Sequence, residues 1–407
     1  MGPLAGIKIL DLSRVLAGPW ATQTLADLGA DVLKIERLEG GDETRAWGPP
    51  YLRDRDGRDT SESAYFLSTN RGKRSMALDL ASGAGQKLVR ELALQSDVLV
   101  ENFKVGTLKR FGLAWEDLAP LNARLVYCSI SAFGQTGPLA REPGYDALIQ
   151  GMGGLMSVTG VPDGEPGAGP QKVGVAVADL MTGLYAVIAI VGALYEREKS
   201  GAGQHIDLAL LDTQLACLAN QALGFLVSGV SPRRRGSAHP SIVPYQAFAT
   251  AEGHVMLAVG NDRQFAAFCQ VAGEPALATD VRFATNAQRV AHREILIQRI
   301  SALLEARSAR RWVEALSAAG VPCGPINDIG QALAEPQARA RDVQISLPHA
   351  LGTAAPGVRN PIRYSRTPLD HELPPPLLGE HTSRILAERL GLAEAEIAQL
   401  RERRVVA

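Results

Sequence analysis

Between Lys172 and Ala186 the chain reads KVGVAVADLMTGLYA, which sets one carboxylate, Asp179, between an apolar stretch and the opening of an apolar helix. An ionised carboxylate is costly to bury without a charged partner, so an aspartate in this setting needs a reason. Two reasons fit. Aspartate caps helix N-termini, where its charge suits the dipole; a carboxylate in an apolar site can also act as acid, base or nucleophile. The local pattern leaves both open. Other catalytic constellations lack support: there is no GxSxG elbow, no GxxxxGK[ST] loop, and the seven histidines stand singly without HExxH. Cys128, Cys217, Cys269 and Cys323 form no CxxC pair and read as small buried hydrophobes.

The elements around Asp179 read as α/β. IKILDL, at Ile7 to Leu12, is followed by a helix-like segment from Trp20 to Leu28, then Gly29 and a second strand, DVLKIE. Apolar runs alternating with helices continue through DVLVEN and LVYCSIS, which predicts an open parallel sheet wrapped by helices. Glu36 ends the second strand where a dinucleotide fold would read a ribose. The first turn, SRVLAGP, has no GxGxxG, so nicotinamide binding has little support. Gly and Pro concentrate in the loop GVPDGEPGAGP before the Asp179 segment.

Residues 1–200 with 326–407 are expected to form a large Rossmann-like domain, 201–224 a linker helix, with GAGQHIDLALLDTQLACLANQAL reading as a strand and then a long amphipathic helix, and 225–325 a smaller α+β domain with a hairpin hinged on Glu252 and Gly253. At 407 residues the chain is long enough for two domains, and its 46% apolar and 21% charged residues are ordinary for a globular enzyme. A net charge of -1 gives no sign of a nucleic-acid partner. The apolar run Leu180 to Tyr195 is shorter than a spanning helix needs and reads as a core helix, without a membrane role. With no signal-type N-terminus and dispersed cysteines, the expectation is a cytoplasmic protein.

Several long motifs, in order, resemble the class III CoA-transferases: LAGIKILDLSRVLAGPWATQTLADLGADVLKIERLEGGDETR, NRGKRSMALDL, VLVENFKVGTLKRFGL, GYDALIQGMGG, the Asp179 segment, GAGQHIDLALLD and PPPLLGEHT. The likeness runs from about Leu4 to Val406. It implies an interlocked homodimer, each subunit having a Rossmann-like large domain built from both chain ends. It also implies Asp179 as a nucleophile that takes CoA from a thioester and hands it to a free carboxylic acid, with no metal or redox cofactor and CoA as co-substrate.

By match to family positions, Leu16, Ala17, Arg37, Leu78, Asp79, Asn102, Phe103, Arg110 and Tyr145 would line CoA. Racemases of the same fold carry a histidine where this chain has Tyr145. Phenols ionise near pH ~10 and are poor bases at neutral pH, which favours the transferase. The formyl-CoA transferase branch has a run of glycines at the start of the small domain, where this chain has GSAHPSIVPYQAF and then GNDRQF. The segment here resembles relatives that use succinyl-CoA and dicarboxylic acids, with glutarate-like or itaconate-like acceptors. Arg45, His239, Tyr245 and Gln246 are candidates to hold a distal carboxylate. The cluster Arg233 to Arg235 reads as a solvated turn, with an anion site as the other possibility. A racemase or a non-catalytic CoA-binding protein remain the alternatives.

Overall fold

A computed structural model describes residues 2–369 and 373–407. Six strands form one parallel sheet: β1 (Lys8–Asp11), β2 (Asp31–Glu36), β3 (Lys73–Ala77), β4 (Val98–Glu101), β5 (Val126–Ser131) and β6 (His205–Ala209), in the order β3-β2-β1-β4-β5-β6. This is the strand order of a doubly wound fold, which places a crevice outside the carboxyl ends of β1 and β4, where the order reverses.

Alternation along the strands explains why helices cover both faces. Ile9, Val32, Val98, Val100 and Val126 point to one core, while Leu10, Leu33, Leu99 and Tyr127 point to the other. The first core receives α1 (Ala17–Asp27) and the second α3 (Gly83–Leu94), with α2 (Ala64–Thr69) between them in the chain. Helix α4 (Asp146–Met152) and the long helix α5 (Val177–Ser200) return to the first core through Ile149, Ala178, Ala186 and Ile190. Helix α1 starts three residues earlier than the sequence predicts, because Gly18 and Pro19 sit within its first turn, where proline's missing N–H has no helical partner to lose. Close approach of α5 to α1 needs Gly183, since a Cβ there would stand 2.7 Å from the Ala17 carbonyl.

Helix α5 is longer than the apolar run that marks it and is long and apolar enough to cross a membrane. Its Ala178, Thr182, Ala186, Ile190 and Ala193 are nevertheless buried, and Arg197 near its end pairs with Asp97 at 3.0 Å.

Over the linker 201–224 a strand forms as expected, but the long helix after it is not continuous. The strand joins the sheet edge as β6, and the rest splits into α6 (Leu210–Cys217) and α7 (Asn220–Ser228), bent by 76°. The break falls at Ala219, with φ of +44°, and no glycine or proline announces it.

Contacts divide the chain into two units: residues 2–156, 172–230 and 339–407 in the first, and 157–171 with 231–338 in the second. The loop after Met156 therefore belongs to the second unit, where Gly236 donates its N–H to the Gly160 carbonyl and Arg234 Nε donates to the Val161 carbonyl. This unit has a three-stranded sheet, with antiparallel β7 (Tyr245–Ala249) and β8 (His254–Ala258) joined at β8 by β9 (Cys323–Pro325). Phe248, Val255, Leu257, Phe265, Phe268 and Trp312 fill its core.

Candidate active site

Asp179 lies in the first turn of α5, but it does not cap that helix. The cap comes from α4: Asp146 Oδ1 accepts from the Ala178 N–H at 2.8 Å and from the Asp179 N–H at 3.4 Å. The other Asp146 oxygen accepts from Gln150 Nε2 at 2.7 Å, and Gln150 Oε1 accepts from the Val173 N–H at 2.8 Å. One short helix thus ties down both the entry to α5 and the loop before it. The Asp179 carboxylate accepts no hydrogen bond from the described residues and has no structural duty at the helix end.

Burial, and then the Asp146 charge, push Asp179 up to about 7. Tyr65, on α2, is pushed up to about 12 by burial and then by the charges of Asp179, Asp146 and Asp42, which places its phenol within the field of both site carboxylates as a protonated donor. The Trp47 ring meets Tyr65 edge-on, 5.1 Å between centroids. Tyr145 precedes α4 and is 68% exposed, beside the capping aspartate. Gly153 is a packing glycine, since a Cβ there would meet Gln214 Cγ at 2.5 Å.

A cleft of about 650 Å³ lies outside the carboxyl ends of β1, β2 and β3. Of the residues matched by sequence, Arg37, Leu78, Asp79 and Phe103 line it. Leu16 and Ala17 are buried at the start of α1, and the Asn102 amide grips the first turn in both directions, accepting from the Arg14 N–H at 3.0 Å and donating to the Arg14 carbonyl at 2.7 Å. Arg110 is exposed next to Phe111, which lines the cleft, while Tyr145 stands apart at α4. Arg14 and Arg404 add two cations that the sequence reading passes over. Arg14 pairs with Glu43 and lies 5.5 Å from the Phe103 ring centroid, and Arg404 pairs with Glu39.

The first turn lacks the glycines of a dinucleotide fold because buried charges hold it. Val15 has φ of +71°, a conformation a β-branched residue resists, and its N–H donates to Asp42 at 3.2 Å. Lys34 Nζ donates to the Ser13 carbonyl at 2.8 Å and to Asp42 at 2.9 Å. Asp11 accepts from the Ser13 N–H at 2.9 Å, from Thr22 at 2.6 Å and from Lys73 at 3.1 Å. Burial opposes ionisation of Asp42, but Lys34 and the Thr44 N–H outweigh it and hold the carboxyl at about 2. Burial draws Lys73 down to about 8 despite Asp11.

Arg45 belongs to the same structural network and is not free to hold a substrate carboxylate. It makes two 2.8 Å bonds to Glu36, one of 2.8 Å to Glu62 and one of 3.1 Å to the Pro376 carbonyl, with Phe66 stacked 3.6 Å away. His239, Tyr245 and Gln246 lie in the second unit, the first two with ring centroids 5.4 Å apart and Gln246 opposite Leu257 in the sheet. Sequence reasoning missed Asp146 and Tyr65. Asp146 carried a usable signal, an Asp-Gln pair four residues apart on a short helix; Tyr65 carried none.

The fold agrees with that of the protein's relatives. The CoA-transferase family III model matches residues 4–382, and the chain belongs to that family of enzymes. It is 52% identical over 386 residues, 95% of each chain, to the succinate–glutarate CoA-transferase of Agrobacterium fabrum. It is 42% identical over 400 residues to the human succinyl-CoA:glutarate CoA-transferase, covering 98% of this chain and 88% of that one. Among solved structures, a CAIB/BAIF family protein from Brucella suis superposes with a TM-score of 0.84 at 47% identity, covering 95% of this chain and 99% of that one.

Proposed function

We propose that this enzyme moves CoA from succinyl-CoA to a second dicarboxylic acid of glutarate type, with Asp179 as the nucleophile. The observation that carries this is the carboxylate at the head of α5, relieved of capping by Asp146 and accepting no hydrogen bond from the described residues. The two succinate–glutarate relatives support the acid pair.

Asp179 attacks the thioester carbonyl, expelling CoA thiolate and forming a mixed succinyl-aspartyl anhydride. The thiolate then attacks the aspartyl carbonyl, releasing succinate and leaving an aspartyl-CoA thioester. The acceptor carboxylate attacks that thioester, again freeing thiolate, which takes the acceptor's acyl group from the new anhydride and restores Asp179. Splitting the exchange into covalent steps conserves the thioester's energy as long as water is kept out. Asp179, held up at about 7, is ionised in part at neutral pH and suits both attack and departure. The Tyr65 phenol is a donor in the field of the reacting carboxylate. CoA's nucleotide fits the cleft, with Arg14, Arg37 and Arg404 to meet phosphate.

A homodimer completes the reading. Tyr185, Ile188 and Tyr195 on α5 and Leu226 and Val227 on α7 are exposed apolar side chains, 84% in the case of Val227, and interlocking with a second copy would cover them. The free thiols of Cys128, Cys217, Cys269 and Cys323 suit a cytoplasmic site of action.

The test is the intact mass of the protein after brief incubation with succinyl-CoA, beside Asp179→Asn. An adduct on the wild type alone, mapped to Asp179 and lost on adding glutarate, is expected. Tight CoA binding with no adduct, or α-proton exchange into deuterated solvent without any acceptor acid, refutes the transferase reading.

A further inference from the structure

Glu101, the last residue of β4, is a buried acid that the reaction at Asp179 does not use. It is 6% exposed, no cation among the described residues pairs with it, and the charge that acts on it is another acid, Asp207. Its Oε2 accepts from the Phe103 N–H at 2.8 Å. Ser129, its register partner on β5, turns its hydroxyl to the same carboxyl and stands 3.0 Å from His205 Nε2. His205 opens β6 and is half-buried, stacked on Trp115 at 6.1 Å and edge-on to Tyr127 at 5.5 Å. A row of three side chains thus runs from a buried acid to a partly solvated ring. The titratable groups beside it are Tyr127 and Cys128 on β5, Asp207 on β6, and Glu116 and Asp117 on the short helix Trp115–Leu118, where Asp117 pairs with Lys109 at 2.8 Å. On the other side, β1 presents apolar Leu12 to this face. Burial, with Asp207 adding to it, pushes Glu101 up to about 7 against the bonds from Ser129 and Phe103, and burial lowers His205, which keeps the ring neutral at that pH.

The two residues after Glu101 shape the cleft. Asn102 grips Arg14 in both directions, and the Phe103 ring lines the cleft with the Arg14 guanidinium 5.5 Å from its centroid. A hydrogen bond to a carboxylate is roughly twice as strong as one to a neutral acid, so the charge on Glu101 tightens the turn that carries both. The row also conducts the proton that sets this charge. Ser129 has one hydroxyl proton. With Glu101 ionised, that proton points to the carboxylate and His205 Nε2–H donates to the hydroxyl oxygen. When a proton from water reaches His205 Nδ1, the Nε2 proton passes to Ser129 and the Ser129 proton passes to Glu101. The acid is then neutral, and the ring is neutral again as its other tautomer.

We propose that Glu101 is a positioning residue for CoA, its carboxylate holding Phe103 and Arg14 against the cleft and exchanging its proton with water through Ser129 and His205. This rests on CoA occupying that cleft, as the CoA-transfer reading has it. The ionised form binds CoA more tightly, so CoA binding must in turn make Glu101 a stronger acid by the same factor.

Calorimetric titration of CoA into full-length wild type and Glu101→Gln, at about pH 5.5 and about pH 8.5, tests this; the glutamine keeps a neutral acceptor for Phe103 and strands no charge. Titrations of Asp179 and of CoA's own phosphates are common to both proteins and cancel in the ratio of affinities. The two proteins are expected to bind equally at the lower pH, and Glu101→Gln roughly 10-fold more weakly at the higher, the size of one charged hydrogen bond. The ring nitrogens of 15N-labelled His205 should exchange their protonated and bare signals with a midpoint near Glu101's value, and CoA should lower that midpoint by about one pH unit. The exchange should vanish in Glu101→Gln and in Ser129→Ala, the latter leaving the carboxylate in place. An affinity ratio that is the same at both pH values, or a His205 midpoint that CoA leaves unmoved, overturns the proposal while the CoA-transfer reading stands. If CoA binds with the expected ratio but no thioester and acid pair is turned over, the positioning role stands and the CoA-transfer reading falls. A protein that does not bind CoA overturns both.

Discussion

Replacing Asp179 by asparagine keeps the shape of the side chain and removes its ability to ionise, and the structure predicts that this raises stability. Asp179 moves from 3.8 to about 7 on folding, first through burial and then through Asp146. An acid whose value rises on folding holds its proton more tightly in the folded protein. The folded state therefore binds more protons than the unfolded one between about pH 4 and pH 7, and stability falls as pH climbs through that window. A rise of about three pH units corresponds to a ceiling of ~4 kcal/mol lost by pH 8. The site is partly open to solvent, which cuts the expectation to ~1–2 kcal/mol. A neutral asparagine amide in this position would carry none of this penalty. Urea unfolding at pH 4, 6 and 8 should show Asp179→Asn close to wild type at pH 4 and ~1–2 kcal/mol more stable at pH 8, with CoA transfer abolished. A difference that does not grow with pH, or a variant less stable at pH 8, refutes the claim that folding forces a proton onto this carboxylate.

Asp146→Asn keeps an oxygen for the Ala178 N–H but deletes the like charge, so the rising limb of kcat against pH should move to lower pH by roughly one unit with little change in melting temperature. Asp146→Ala removes the cap as well and should cost about 1 kcal/mol in unfolding experiments. Tyr65→Phe should lower kcat roughly 100-fold while CoA affinity stays near wild type, as steady-state kinetics would show. Lys34→Met strands Asp42 and the Ser13 carbonyl inside the protein and should destabilise it by roughly 3–5 kcal/mol in denaturant titration. Arg37→Gln, at the cleft rim, should raise KM for succinyl-CoA about 10-fold without lowering kcat.

The sheet was legible because its evidence is local. Each of IKILDL, DVLKIE, DVLVEN and LVYCSIS is a short apolar run, and runs that alternate with helices in a chain of this length have few ways to pair other than as a parallel sheet. Asp179 was legible as an oddity, a lone carboxylate in apolar surroundings, and the motif order pointed to its family. The linker was misread because Ala219 bends the chain with an ordinary residue, so the helical periodicity of residues 210–228 carries no mark of the break.

Partnership was beyond the sequence. Whether Asp179 caps its helix or is left for chemistry depends on Asp146, 33 residues away in the chain, whose oxygen reaches the N–H groups first. Whether Arg45 meets a substrate depends on Glu36 and Glu62, which arrive from a strand of the main sheet and from a separate hairpin. Spacing and composition determine which side chains exist and which elements they favour, since those preferences act over a few residues. Only the folded chain decides which charges neutralise one another, because that depends on contacts made across the sheet and between elements far apart in sequence.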